Sequence, residues 1–168
     1  MNKTLLIIII LLLGAGVYLW QEGQELHEIR TEIDIAASPE KVWEIITDID
    51  AWQQWNPIIN ASRGVAAKGY TLSITMVGKD GADGPKYYPT ITQFDKPRYF
   101  HWQAEMITAA IMRNDKVFEL EKTPSGTRLI HKELFTGMMV PIFGNTFDEN
   151  VPPMLNSMNL ALKELAEK

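Results

Sequence analysis

Residues 35 to 57 read IAASPEKVWEIITDIDAWQQWNP. Ser38-Pro39 opens a helix here, because a serine hydroxyl caps free backbone N–H groups and proline fits the first helical position. Val42, Trp43, Ile45 and Ile46 then form an apolar stripe at helical spacing. Asp48 to Trp55 reads as a second short helix, with Asp48 and Asp50 as boundary residues. It ends before Pro57, since a residue ahead of proline avoids the helical region. Trp43, Trp52 and Trp55 are three of the chain's five tryptophans. Rings of that size are costly to leave in water, so the stretch must lie against a core.

Upstream, Arg30 to Ala36 alternates. Ile29, Ile33 and Ile35 share one face with Thr31, and Arg30, Glu32 and Asp34 take the other, the pattern of a half-buried strand. Downstream, Tyr70, Leu72, Ile74 and Met76 oppose Thr71, Ser73 and Thr75. Gly78 to Pro85 is a turn-rich loop, and Tyr87 to Phe94 is a strand of mixed pattern. Phe100, Trp102, Ala104 and Met106 alternate with Tyr99, His101, Gln103 and Glu105. Phe118 and Leu120 oppose Val117, Glu119 and Glu121, and Pro124-Ser125-Gly126 turns the chain into a strand over 127–136.

The period then changes. Phe147, Val151, Leu155, Met158, Leu162 and Leu165 mark one face of a helix. Pro152-Pro153 must kink that helix or delay its start, so a regular helix is expected from about Pro153 to Ala166. Strand, two short helices, a run of strands and a long helix predict an α+β domain over 29–168. In it a curved antiparallel sheet of about seven strands wraps the C-terminal helix.

The 168 residues are 46% hydrophobic and 22% charged, the balance of one globular domain with a real core. Net charge is −5 and no basic run exists, which argues against nucleic acid as a partner. With no cysteine, disulfides, thiol nucleophiles and cysteine-containing zinc sites are excluded. His27, His101 and His131 show no metal-ligand spacing, so neither a metal site nor a cofactor is expected. Gly78-x-x-Gly81-x-x-Gly84 precedes a strand rather than a helix, which is the wrong context for a phosphate cradle.

Residues 4 to 20, TLLIIIILLLGAGVYLW, are an uncharged apolar run with Tyr18 and Trp20 at its far end. Such rings favour a membrane interface. The segment 1–20 reads either as an uncleaved membrane anchor or as a signal peptide, with Gly14-Ala15-Gly16 as the cleavage site. Either way Lys3 marks the cytoplasmic side, and Glu22, Glu25 and Glu28 follow without a cation before Arg30. The domain is therefore expected outside the cytoplasm, membrane-anchored or released after cleavage. Residues 21–28 read as a short polar linker.

The stretch 35–57, Phe100-x-Trp102, the hairpin DKVFELEKTPSGTRLIHKELFTG (115–137) and MNLALKELAE (158–167) together resemble the START/Bet v 1-like helix-grip superfamily, SRPBCC. More narrowly they resemble its polyketide cyclase/dehydrase and lipid-transport group. The resemblance covers about residues 28–168. It implies an apolar cavity between sheet and long helix that takes lipids, sterols, polyketides or other hydrophobic molecules. It carries over no catalytic residue, and Pro152-Pro153 departs from its usual long helix.

Trp52, Trp55, Tyr70, Tyr87, Phe100, Trp102, Phe118, Phe135 and Met158 are the expected cavity lining, with core packing as the plainer role of each. Methionines such as Met76 and Met158 adapt to ligand shape. His131 and Glu133 share a face with Leu129 and Phe135, and a histidine beside a carboxylate can serve as an acid–base pair. Arg113, His131 or Glu133 could orient a ligand's polar end. Three functions follow from these readings: a membrane-tethered domain binding a hydrophobic small molecule or lipid, a cyclase- or dehydratase-like enzyme using His131 and Glu133, and a partner-binding domain with a fully packed core.

Overall fold

The computed structural model describes residues 2–168. Helix α1 (Lys3–Glu22) is capped by the Asn2 side chain and buries none of its residues. Its twenty residues extend roughly 30 Å at about 1.5 Å per residue. It is long and apolar enough to cross a membrane.

Strand β1 (His27–Ile35) alternates as expected, with Ile29 and Ile35 buried and Arg30, Glu32 and Asp34 exposed. Helix α2 (Pro39–Thr47) starts on Ser38, whose hydroxyl accepts from the Lys41 N–H, and buries Val42, Trp43 and Ile46. A 3₁₀ turn, Ile49–Ala51, leads into the single turn of α3 (Trp52–Trp55). The strands that follow are β2 (Ile59–Arg63), β3 (Ser73–Val77), β4 (Asp83–Tyr87), β5 (Thr90–Asp95), β6 (Tyr99–Met106), β7 (Met112–Thr123) and β8 (Gly126–Thr136), before α4 (Val140–Ala166).

All pairings are antiparallel. One sheet runs β1-β8-β7-β6-β5 and the other β2-β3-β4. The Thr71–Thr90 bridge and backbone bonds from Leu72 to Pro89 and from Ile91 to Tyr70 join the two. The result is one curved wall gripping α4, the helix-grip architecture that the sequence pattern predicts.

Three details differ from the sequence reading. The turn-rich loop over 78–85 ends in the first three residues of β4, which the glycines permit: a Cβ on Gly78 would sit 2.9 Å from Gly84 Cα. Helix α4 begins at Val140, well before Pro153, and continues through Pro152 and Pro153. Each proline withholds one N–H from the helix ladder, but packing of Leu155, Met158 and Leu162 into the core carries the element across that gap. Tyr70 does not share the buried face of Leu72 and Ile74. A turn closed by its N–H on the Ala67 carbonyl precedes the strand, and the side chain is 55% exposed.

The main core joins α2, α3, the inner sheet face and α4 through Trp43, Trp52, Phe100, Trp102, Phe118 and Leu162. Ring centroids lie 5.4 Å apart for Trp52–Trp102, 6.0 Å for Trp52–Phe118 and 5.7 Å for Phe100–Trp102. A smaller cluster holds Ile29, Phe135, Val140 and Leu155. Trp52 is buried and its indole N–H donates to the Ile46 carbonyl at 2.9 Å. Trp52→Ala is therefore expected to cost about 3–5 kcal/mol. Tyr70→Ala is expected to stay within about 0.5 kcal/mol. Chemical denaturation of the two variants checks both values.

Candidate functional site

On β7, Asn114, Lys116, Phe118 and Leu120 point toward α4. On β8, Leu129, His131, Glu133 and Phe135 do the same. The register sets Lys116 directly opposite Glu133 and Phe118 opposite His131, while Thr31 of β1 faces His131 from the other side. Asn159 arrives from α4. These residues form a polar layer between the two apolar clusters.

Every group in the layer is engaged. Lys116 Nζ lies 2.5 Å from Glu133 Oε1, and Asn114 Nδ2 donates to Glu133 Oε2. Lys116 Nζ is also 3.4 Å from His131 Nε2 and lies about 6 Å from the Trp102 and Phe118 ring centroids, within cation–π range. His131 Nδ1 is 2.7 Å from Asn159 Oδ1, Asn159 Nδ2 donates to Thr31 Oγ1 at 2.9 Å, and Thr31 Oγ1 donates back to the His131 carbonyl at 3.3 Å. With Asn159 donating to Thr31, its oxygen must accept. His131 therefore carries its proton on Nδ1, and Nε2 accepts from the Lys116 ammonium.

Burial, and after it the Lys116 charge, holds His131 well below the ordinary histidine range, against the smaller pull of the Asn159 bond. It is neutral. Burial, and after it the Glu133 charge, pushes the Tyr87 phenol up, so Tyr87 keeps its proton and donates to Met76 Sδ at 3.6 Å.

The side chains of the expected acid–base pair do not bond each other directly. His131 and Glu133 do share the helix-facing side, but Lys116 stands between them as their shared partner. On the opposite face of the sheet, His101 does have a carboxylate partner. Its Nε2 lies 2.8 Å from Asp115 Oδ1 and its Nδ1 3.1 Å from Thr92 Oγ1. Arg113 is on that outer face too, donating to Asp115 Oδ2 at 2.7 Å, and so does not reach the helix side. Burial alone would raise the Asp115 carboxyl, but hydrogen bonds from His101 and Arg113 outweigh it and bring it below the usual range.

The other expected site residues divide. Trp52, Phe100, Trp102, Phe118 and Met158 are buried in the main core, with Trp55 and Tyr87 partly buried against it. Phe135 belongs to the smaller cluster, stacked on Phe147 at 4.5 Å, and Tyr70 is outside both. The rings pack on one another between sheet and helix. A cleft of about 700 Å³ lies beside α2 and the β5–β6 turn, and one of about 270 Å³ lies where α1 meets α4. None of the expected lining residues borders either.

Asn114, Lys116 and Asn159 are the site residues that sequence reasoning missed. Lys116 does alternate with Phe118 and Leu120, but a lysine at such a position is ordinarily a strand-edge or end residue. Asn159 lies next to Met158, off the apolar stripe.

Residues 27–168 match the family described as polyketide cyclase / dehydrase and lipid transport, and the chain belongs to that family. No curated protein matches it. Among solved structures it is similar to the di-domain ARO/CYC StfQ of the steffimycin biosynthetic pathway, at 10% identity and a TM-score of 0.70. The match covers 84% of this chain and 51% of that one, so this chain spans about half its length. It is also similar to a START superfamily protein from Mycobacterium smegmatis (18% identity, TM-score 0.67, 84% and 97% covered). A protein from Chromobacterium violaceum, CV1439, is similar at 15% identity with a TM-score of 0.67 and 84% and 99% covered. At these identities the likeness is one of fold.

Removing one member of a buried ion pair strands the other charge. Lys116→Met is expected to cost about 3–5 kcal/mol, and combining it with Glu133→Leu to recover most of that loss in a denaturation double-mutant cycle. A second expectation concerns pH. An unfolded histidine binds a proton as pH falls through about 6.5, while folded His131 does not. Stability is therefore full above that pH and declines below it, toward the lower folded value, by up to about 1.4 kcal/mol per pH unit. His131→Gln should flatten that stretch of the stability–pH curve.

Proposed function

We propose that the domain binds a hydrophobic small molecule or lipid on the helix-facing side of its sheet, without catalysing a reaction on it, while α1 holds it at a membrane with the domain outside the cytoplasm. The observation that carries the non-catalytic part is the closed polar layer. Both nitrogens of His131 and both oxygens of Glu133 are occupied by protein partners. A general base must be free to take a proton from substrate, and here each candidate would first have to give up a buried bond.

Family membership supports a hydrophobic ligand. The ligand's path in this reading runs through the partly buried rim of Trp55, Ile58, Met76 and Tyr87, beside Met158, where unbranched methionines can move aside. The indole N–H groups of Trp55 and Trp102 and the Asn56 amide N–H have no protein acceptor among the described residues. A buried donor without an acceptor costs about 1–3 kcal/mol. An apolar ligand bearing an ester, ketone or hydroxyl oxygen gains affinity wherever it reaches one of them. The order of charges supports the topology: Lys3 precedes the apolar run, and Glu22, Glu25 and Glu28 follow it.

Native mass spectrometry of the detergent-purified full-length chain is expected to reveal a co-purifying hydrophobic molecule. Trp102→Phe keeps a ring and removes the donor. It should weaken binding of an oxygen-bearing fluorescent lipid by roughly three- to tenfold, the worth of one hydrogen bond. A chain that carries no ligand and binds no apolar probe would overturn the reading.

A further inference from the structure

Helix α1 leaves the domain through a rigid joint. The Gly137 N–H donates to the Gly23 carbonyl at 2.7 Å, and a Cβ on Gly23 would collide with the Gly137 carbonyl. The two backbones approach this closely because Gly23 has no Cβ, while a Cβ on Gly137 would instead meet the Ile111 carbonyl of the β6–β7 turn. Gly137 is in turn bound to the β6–β7 turn: Met138 N–H donates to the Ala110 carbonyl at 3.0 Å and Met139 N–H to the Ile111 carbonyl at 3.1 Å. The end of α1, the β6–β7 turn and the first turn of α4 are therefore one hydrogen-bonded block.

That block exposes large apolar side chains. Ile107 is 85% exposed, and Leu26, Met106, Ile142 and Phe143 are also exposed. Ile107 sits at φ 72°, a region costly for a β-branched residue. Exposure and conformation both count against an isoleucine there, and no packing contact within the fold offsets them. The segments 20–27, 104–112 and 137–145 carry Glu22, Glu25 and Glu105 and no lysine or arginine. Apolar contact with acidic flanks disfavours anionic lipid and suits uncharged or zwitterionic lipid.

The geometry points to a membrane-docking face. We propose that the β6–β7 turn and the first turn of α4, led by Ile107 and Phe143, sit in the headgroup–acyl boundary of the same bilayer that α1 spans. This rests on the reading of α1 as a membrane segment. Trp20 marks the far interface of that segment, and Gly23 lies three residues on, roughly 4.5 Å along a helix. The headgroup layer is about 5–7 Å thick on each side. The Gly23–Gly137 bond therefore falls within it, and the domain rests on the lipid in one orientation instead of swinging on a linker.

The chain has no cysteine, so single reporters are clean. Full-length Ile107→Cys, Phe143→Cys, Ser125→Cys and Leu11→Cys would each carry an environment-sensitive fluorophore in phosphatidylcholine nanodiscs. Ser125 lies in the β7–β8 turn, at the opposite end of the long strands. Unchanged thermal midpoints confirm folding of each labelled chain. The expected result is a blue shift at 107 and 143, with quenching by lipids brominated near the headgroup, no change at 125, and quenching at 11 by deeply brominated lipid. Probes at 107 and 143 that behave like 125, while 11 is quenched, would overturn the docking face alone. An unquenched probe at 11 would overturn the membrane segment, and the docking face with it.

Discussion

A lysine ammonium held among indole and phenyl rings constrains the rest of this domain. Lys116 is buried, and a buried charge without a partner is among the most costly things a fold can contain. Glu133 meets it from the next strand, His131 offers a lone pair, and Asn159 and Thr31 close the chain around His131. The arrangement works in one register only. Shifting β7 against β8 by one residue would turn Lys116 or Glu133 to the other face. Rotating α4 would withdraw Asn159. The layer is weak as a source of net stability and strong as a specification of which strands pair and how the helix lies on them.

The same layer divides the interior along the strand direction. On one side lie the Trp52, Phe100, Trp102 and Phe118 rings, and on the other the smaller group of Ile29, Phe135, Val140 and Leu155. The smaller group adjoins the block where α1 joins the domain. Glu133 is only four residues of strand, about 13 Å, from Gly137. Helix α1, the small cluster, the polar layer and the aromatic core are therefore stacked in that order. A helix that the sequence separates from the domain by a polar linker is in fact bonded to its base.

Much of the fold is legible in the chain because period is a local property. Ser38-Pro39 announces α2, alternating residues announce β1, β6, β7 and β8, and the stripe ending at Leu165 announces α4. Where local signals mislead, a tertiary contact has overruled them. Pro152-Pro153 should interrupt a helix, yet the buried face of α4 carries it through. Gly78 to Pro85 looks like pure turn, yet two glycines pressed together let it pair with β3. Tyr70 fits the alternation on paper, but a turn ahead of the strand sends it to solvent.

For the site, the sequence by itself determined that His131 and Glu133 lie on the apolar side of β8, since strand alternation requires it. It also determined that large aromatics from several elements meet, since they have no other place to be buried. What partners those two polar residues have was decided only by the tertiary structure. Lys116 and Asn159 are 43 residues apart in the chain and meet across His131 because β7 and β8 pair in one register and α4 crosses them. Side-chain pairing across elements is a property of register and helix placement, and neither is written in the periodicity of any single segment.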